Sequence, residues 1–84
     1  MDYRVELEPQ AARGLGGISS QNRRRVADRL RALQAQPRPA GCRKLKALPG
    51  LRVSVGDYRI LYTVNDSNHT VTVWRISHRR DVYR

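Results

Sequence analysis

Eighty-four residues leave room for one small domain, 1–84, and exclude a multidomain enzyme with a separate cofactor module. Seventeen Lys and Arg against seven Asp and Glu give a formal charge of +10, which favours a polyanion such as nucleic acid, or an acidic protein that masks it. A hydrophobic share of 39% is too well patterned for a disordered tail, and the single Cys excludes an internal disulfide and a Cys-based zinc site.

The chain opens on an alternation, Tyr3-Arg4-Val5-Glu6-Leu7, in which Tyr3, Val5 and Leu7 share one side of an extended segment. Glu8-Pro9 suits a helix start, and Ala11, Leu15 and Ile18 follow at helical spacing. Gly14, Gly16 and Gly17 keep this helix short. Ser19 or Ser20 can cap a second helix whose apolar face is Val26, Leu30 and Leu33, with arginines over much of the remainder. Pro37 and Pro39 end it.

Residues 36–50 read as a loop pinned to the core by Leu45 and Leu48 and ending at the turn Pro49-Gly50. Three strands are expected next: Leu51–Val55, Tyr58–Val64 and Thr70–Ile76, separated by the turn Gly56-Asp57 and the hairpin loop 65–68. Trp74 is expected in the core, and a short charged tail follows from His78. The order β-α-α-β-β-β predicts an α+β domain, with an N-terminal helical hairpin packed on a small antiparallel-dominated sheet. No apolar run reaches membrane-spanning length and the N-terminus lacks the order of a signal peptide, so a cytoplasmic location is expected, with no membrane partner.

The chemistry-bearing residues are mostly cations. His69 and His78 are separated by a whole strand with no carboxylate at ligand spacing, so no metal site and no cofactor are expected. There is neither a glycine-rich phosphate loop nor a GxSxG elbow. A set of Arg, Lys, Tyr and His suits cleavage of RNA, which carries its own nucleophile in the 2′-hydroxyl. That reaction needs a base, an acid and a cation for the developing phosphorane-like charge. Arginine fits the last role because its planar fork stays charged and grips two phosphate oxygens.

The string Arg43-Lys44-Leu45-Lys46-Ala47-Leu48-Pro49-Gly50, continued by Leu51-Arg52-Val53-Ser54-Val55-Gly56-Asp57-Tyr58-Arg59-Ile60-Leu61-Tyr62, resembles the central signature of the RelE/ParE toxin superfamily. The ending Ile76-Ser77-His78-Arg79-Arg80-Asp81-Val82-Tyr83 resembles that of its RelE branch. The resemblance implies a RelE-like fold and the toxin half of a type II toxin–antitoxin pair. It further implies a metal-independent endoribonuclease that enters the ribosomal A site and cuts mRNA through its 2′-hydroxyl. Implied partners are an antitoxin encoded by an adjacent gene, the ribosome with its mRNA, and operator DNA only through the antitoxin.

By the same resemblance, Arg59 matches an arginine that stabilises the transition state and Arg79 a second phosphate-contacting arginine. Tyr83 matches a tyrosine that stacks on a base and takes part in proton transfer, and Arg52 a basic strand position. Lys44, Lys46, His78 and Arg80 are expected to bind RNA or serve as acid or base. Ser54 departs from the pattern, for a Lys is expected there, and this leaves the general base open; Lys46 and His78 are the nearest substitutes. Two other readings stand beside this one: a ParE-type inhibitor of DNA gyrase, and a catalytically inactive antitoxin-binding module.

Overall fold

The computed structural model describes residues 2–82. β1 (Arg4–Leu7) places Val5 and Leu7 against the core. α1 (Pro9–Gly16) begins on Pro9, whose missing N–H belongs to a turn that has no intrahelical partner anyway. α2 (Ser20–Ala35) is capped by Ser19, whose hydroxyl accepts the Asn22 N–H at 3.4 Å. Its buried stripe is Val26, Leu30 and Leu33, and it stops before Pro37 as the prolines require.

The rest of the chain builds the sheet. β2 (Arg43–Lys44), β3 (Leu51–Val55), β4 (Tyr58–Asn65) and β5 (Thr70–His78) join β1 in the order β1-β5-β4-β3-β2. β1 runs parallel to β5, and the other pairs are antiparallel. One helical turn, α3 (Arg79–Val82), follows β5. The predicted α+β order holds, with two additions. The loop 36–50 contains a strand, because Arg43 and Lys44 pair with Arg52 and Leu51. The last strand also runs on to His78.

Both long helices cover one face of the sheet. Ala11, Val26, Leu30 and Leu33 meet Val53, Ile60, Tyr62, Val71, Val73 and Ile76 in a single core. α1 approaches β5 so closely that a Cβ built on Gly14 would lie 2.1 Å from the Ile76 carbonyl oxygen, so only glycine fits there. The fully buried Tyr62 donates its hydroxyl to the Pro37 carbonyl at 2.8 Å, tying the segment after α2 to the central strand. At the sheet edge, the Tyr3 hydroxyl donates to Asp66 at 2.5 Å, and Arg38 grips the same carboxylate at 2.9 and 3.2 Å. This cluster staples the N-terminus to the β4–β5 hairpin. No described helix is long and apolar enough to cross a membrane.

Two expectations about the core are corrected. Leu48 is 54% exposed and does not pin the loop, whereas Leu45 is half-buried. Trp74 is only half-buried and lies outside the core cluster.

Candidate functional site

The sheet face turned away from α1 and α2 holds the candidates Arg52 and Arg59, and strand register sets them in two transverse rows. Arg43, Arg52, Leu61 and Arg75 stand opposite one another across β2, β3, β4 and β5. Next to them, Ser54, Arg59 and Ser77 do the same across β3, β4 and β5. Arg52 and Arg59 are diagonal neighbours, at the roughly 7–8 Å typical of such pairs, so two long side chains can converge on one phosphate between them.

Arg59 is half-buried and donates a hydrogen bond to the Ser54 hydroxyl directly opposite. Ser54 thus holds the guanidinium to the sheet. On the other side, the buried Ser77 hydroxyl has no hydrogen-bond partner among the described residues. Placing Arg43 directly across from Arg52 is unfavourable in isolation, because like charges on facing strands repel. An anion lying between the two guanidinium groups would relieve that repulsion. Glu6 pairs with Arg4 at 3.2 Å on the far edge strand.

The loop carrying Lys44 and Lys46 rises over the first row and closes a cleft of about 750 Å³. Leu61 and Trp74 lie in its wall with Leu45 and Leu48 from the loop. Arg43, Lys44, Lys46, Arg52 and Arg75 also line it, and no Asp or Glu does. Leu61 is 3% exposed but belongs to no part of the helix-side core, so its burial comes from the cleft side.

Trp74 reaches the cleft through an irregularity. Tyr62 pairs with Val73 while Leu61 pairs with Arg75, which leaves Trp74 as the extra residue of a β-bulge. Val73 and Ile76 both face the helices, and between them the consecutive side chains of Trp74 and Arg75 line the cleft on the opposite face. Regular alternation would have sent one of the two inward.

The remaining candidates lie elsewhere. His78 faces the helix side, its ring edge-on to Tyr58 at 5.4 Å, and its Nδ1 accepts the Arg80 N–H at 3.3 Å. The sheet therefore separates His78 from Arg59. Arg79 begins α3 at the β3–β4 turn, where its N–H donates to the Asp57 carbonyl at 2.6 Å and its guanidinium lies 4.0 Å from the Asp57 carboxylate. Arg80 is exposed beside it. Tyr83 lies outside the described residues. Among the described residues, no cluster of three His, Cys, Asp or Glu is placed to hold a metal ion.

Sequence reading missed Trp74, Arg75, Arg43 and Leu61 as site residues. The available signal was a change of parity: Val71 and Val73 are odd-numbered inward residues and Ile76 is even-numbered, which requires an insertion between them.

Comparison with known proteins agrees with this architecture. Residues 5–83 match the family model of the ParE toxin of the type II toxin–antitoxin system parDE. The fold superposes on the RelBE2 toxin–antitoxin complex of Mycobacterium tuberculosis with a TM-score of 0.83, at 27% identity over 94% of this chain and 100% of that one. It superposes on the archaeal RelE–RelB complex of Pyrococcus horikoshii OT3 with a TM-score of 0.81, at 26% identity over 94% and 97% of the two chains. A stretch of 29 residues is 48% identical to Toxin RelG of Mycobacterium tuberculosis, covering 34% of this chain. That stretch spans only 33% of the length of the curated relative.

Proposed function

Because the chain belongs to the ParE toxin family of type II toxin–antitoxin systems, within the RelE/ParE superfamily, we propose that it halts translation by cutting mRNA in the ribosomal A site. The observation that carries this reading is the pair Arg52 and Arg59 on one open sheet face, with Arg59 held by Ser54. Two fixed cations around one phosphodiester stabilise the charge that develops when the 2′-hydroxyl attacks phosphorus. Stabilisation by preorganised groups is commonly the largest catalytic contribution. Arg59 and Arg52 are the phosphate clamp; Lys44 and Lys46 hold the RNA as it leaves the clamp. Arg79 and Arg80 act from the end of the sheet, and Tyr83 takes the base-stacking role that the family resemblance assigns it. His78, on the other face, is a less suitable base than Lys46, which lines the same cleft as Arg52. The reaction uses no metal or cofactor.

The partners of this reading are a cognate antitoxin from an adjacent gene, the ribosome and its mRNA, and operator DNA reached through the antitoxin. All of these are in the cytoplasm. A second reading, inhibition of DNA gyrase, is favoured by the ParE description of the matching family model.

Induced expression followed by primer extension on a translated mRNA separates the two. New 5′ ends within codons, absent in an Arg59→Ala, Tyr83→Ala variant that still binds antitoxin, support the ribonuclease. Unchanged mRNA, with supercoiling by purified gyrase inhibited, supports the second reading. Growth continuing normally would refute both and leave an inactive antitoxin-binding module.

A further inference from the structure

We propose that the cleft beside Arg52 is a nucleobase subsite, in which Trp74 stacks on an unpaired base of single-stranded RNA while Arg75 and Arg52 hold the adjoining phosphates. This deepens the ribonuclease reading and rests on it for the identity of the substrate.

The bulge at Trp74 is the first reason. It interrupts the β4–β5 ladder in mid-strand, and its effect is to bring an aromatic ring and a guanidinium from consecutive residues to the same face. The second is the chemistry of the wall. Trp74 and Leu48 supply apolar surface over the buried Leu61, and Leu48 leaves 54% of its area in water. Arg43, Lys44, Lys46, Arg52 and Arg75 surround that surface without a carboxylate among them. A flat apolar platform inside a ring of cations matches a nucleotide, which presents a π-face on one side and an anion on the other. A duplex keeps its bases stacked on each other, so the occupant must be single-stranded.

The third reason is position. Arg52 belongs to the cleft and is also the diagonal neighbour of Arg59. Successive same-face positions along a strand lie about 7 Å apart, so a base held by Trp74 is next to the phosphate held at Arg59. The subsite would therefore select the nucleotide beside the cut.

Trp74 is the single tryptophan of the chain, so tryptophan emission, excited at the red edge where the four tyrosines do not absorb, reports on this cleft alone. The full-length protein is titrated with a single-stranded 2′-O-methyl pentaribonucleotide, which cannot be cleaved, with an abasic phosphodiester of equal length, and with oligoglutamate of equal charge. The expected result is saturable quenching by the RNA and an affinity roughly 10- to 100-fold above that of the abasic chain, the span of one stacked base. Trp74→Phe keeps most of this preference when followed by anisotropy of labelled RNA, and Trp74→Leu falls to the abasic level. Equal binding of RNA and abasic chain with unmoved emission overturns the subsite. Quenching by oligoglutamate but not by RNA also overturns it and assigns the cleft to an acidic protein.

The same preparation, added to a translating extract, distinguishes the two levels. Cleavage with silent Trp74 overturns the subsite alone. Quenching without cleavage upholds the subsite and refutes the ribonuclease reading.

Discussion

Replacing Gly14 by alanine tests the packing that supports the candidate site from behind. A methyl there would sit 2.1 Å from the Ile76 carbonyl oxygen, 3.2 Å from its carbon and 3.6 Å from the Ile76 Cβ. Contacts below 3.0 Å are essentially never made, so α1 must retreat from β5 by about 0.9 Å. A gap of that order forfeits roughly a quarter to a half of each affected dispersion contact. Overpacking of this kind costs about 1–3 kcal/mol, against about 1 kcal/mol gained from better helix propensity. The net loss is up to about 2 kcal/mol, a fall in Tm of up to roughly 16 °C for a domain of this size. Gly16, two residues along the same helix, has nothing within 4 Å of its virtual Cβ. Gly16→Ala should therefore raise stability by up to about 1 kcal/mol. Urea and thermal unfolding of both variants at neutral pH decide the matter. If Gly14→Ala is as stable as Gly16→Ala, the close approach of α1 to Ile76 is wrong.

Burial pushes Tyr62 up to about 12, so its stabilising contribution is complete below its ordinary value near 10 and is lost as pH rises through 12. Tyr62→Phe should unfold about 1 kcal/mol more easily at neutral pH, leaving the Pro37 carbonyl bare, and should lack the parent's alkaline loss in urea titrations from pH 9 to 12.5. The Arg38 guanidinium and the Tyr3 hydroxyl hold Asp66 below the usual carboxylate range. Its contribution is present above that usual range and disappears as pH falls through the lowered value. Asp66→Asn should therefore melt below the parent at pH 6 and converge with it toward pH 2. If the proposed ribonuclease reading is right, Ser54→Ala, which removes the hydroxyl that holds Arg59, should slow mRNA cleavage about tenfold, whereas Ser54→Thr keeps the acceptor and most of the rate. Primer extension time courses measure both, and an undiminished rate for Ser54→Ala would remove Ser54 from the clamp.

The legible parts of this fold were those written in local pattern. The alternation of Tyr3 to Leu7, the serine cap and prolines bounding α2, and the Gly56-Asp57 turn each state their own structure over a few residues. That turn even predicts that Ser54 and Arg59 face each other, since residues symmetric about a tight hairpin pair directly. β2 was illegible because two residues display no period, and their pairing with Leu51 and Arg52 depends on the path of the loop between them. Trp74 was misplaced because a bulge is a property of two strands: the change of parity between Val73 and Ile76 requires an insertion but does not say which face Trp74 takes. Leu48 was assigned to the core on hydrophobicity alone, which does not distinguish a buried leucine from one in the wall of a cleft. Arg52 and Arg59 could be joined from strand parity. The place of Arg79 at the β3–β4 turn follows from the length of β5, which the sequence pattern left two residues short.

The parallel pairing of β1 with β5 also sets the order in which the molecule can be completed. Arg4 to Leu7, in the first strand of the sheet in chain order, finds its partner in Thr70 to Val73, in the last. The contact spans nearly the whole chain, and loop closure of that length must precede any gain from the pairing. Until β5 has left the ribosome, β1 has no place to dock and the Asp66 staple has no Tyr3 to hold. β5 also carries Arg75 and Ser77, so the basic face is incomplete until β5 has joined the sheet. Strand order thus makes the joining of β1 to β5 a late step in folding.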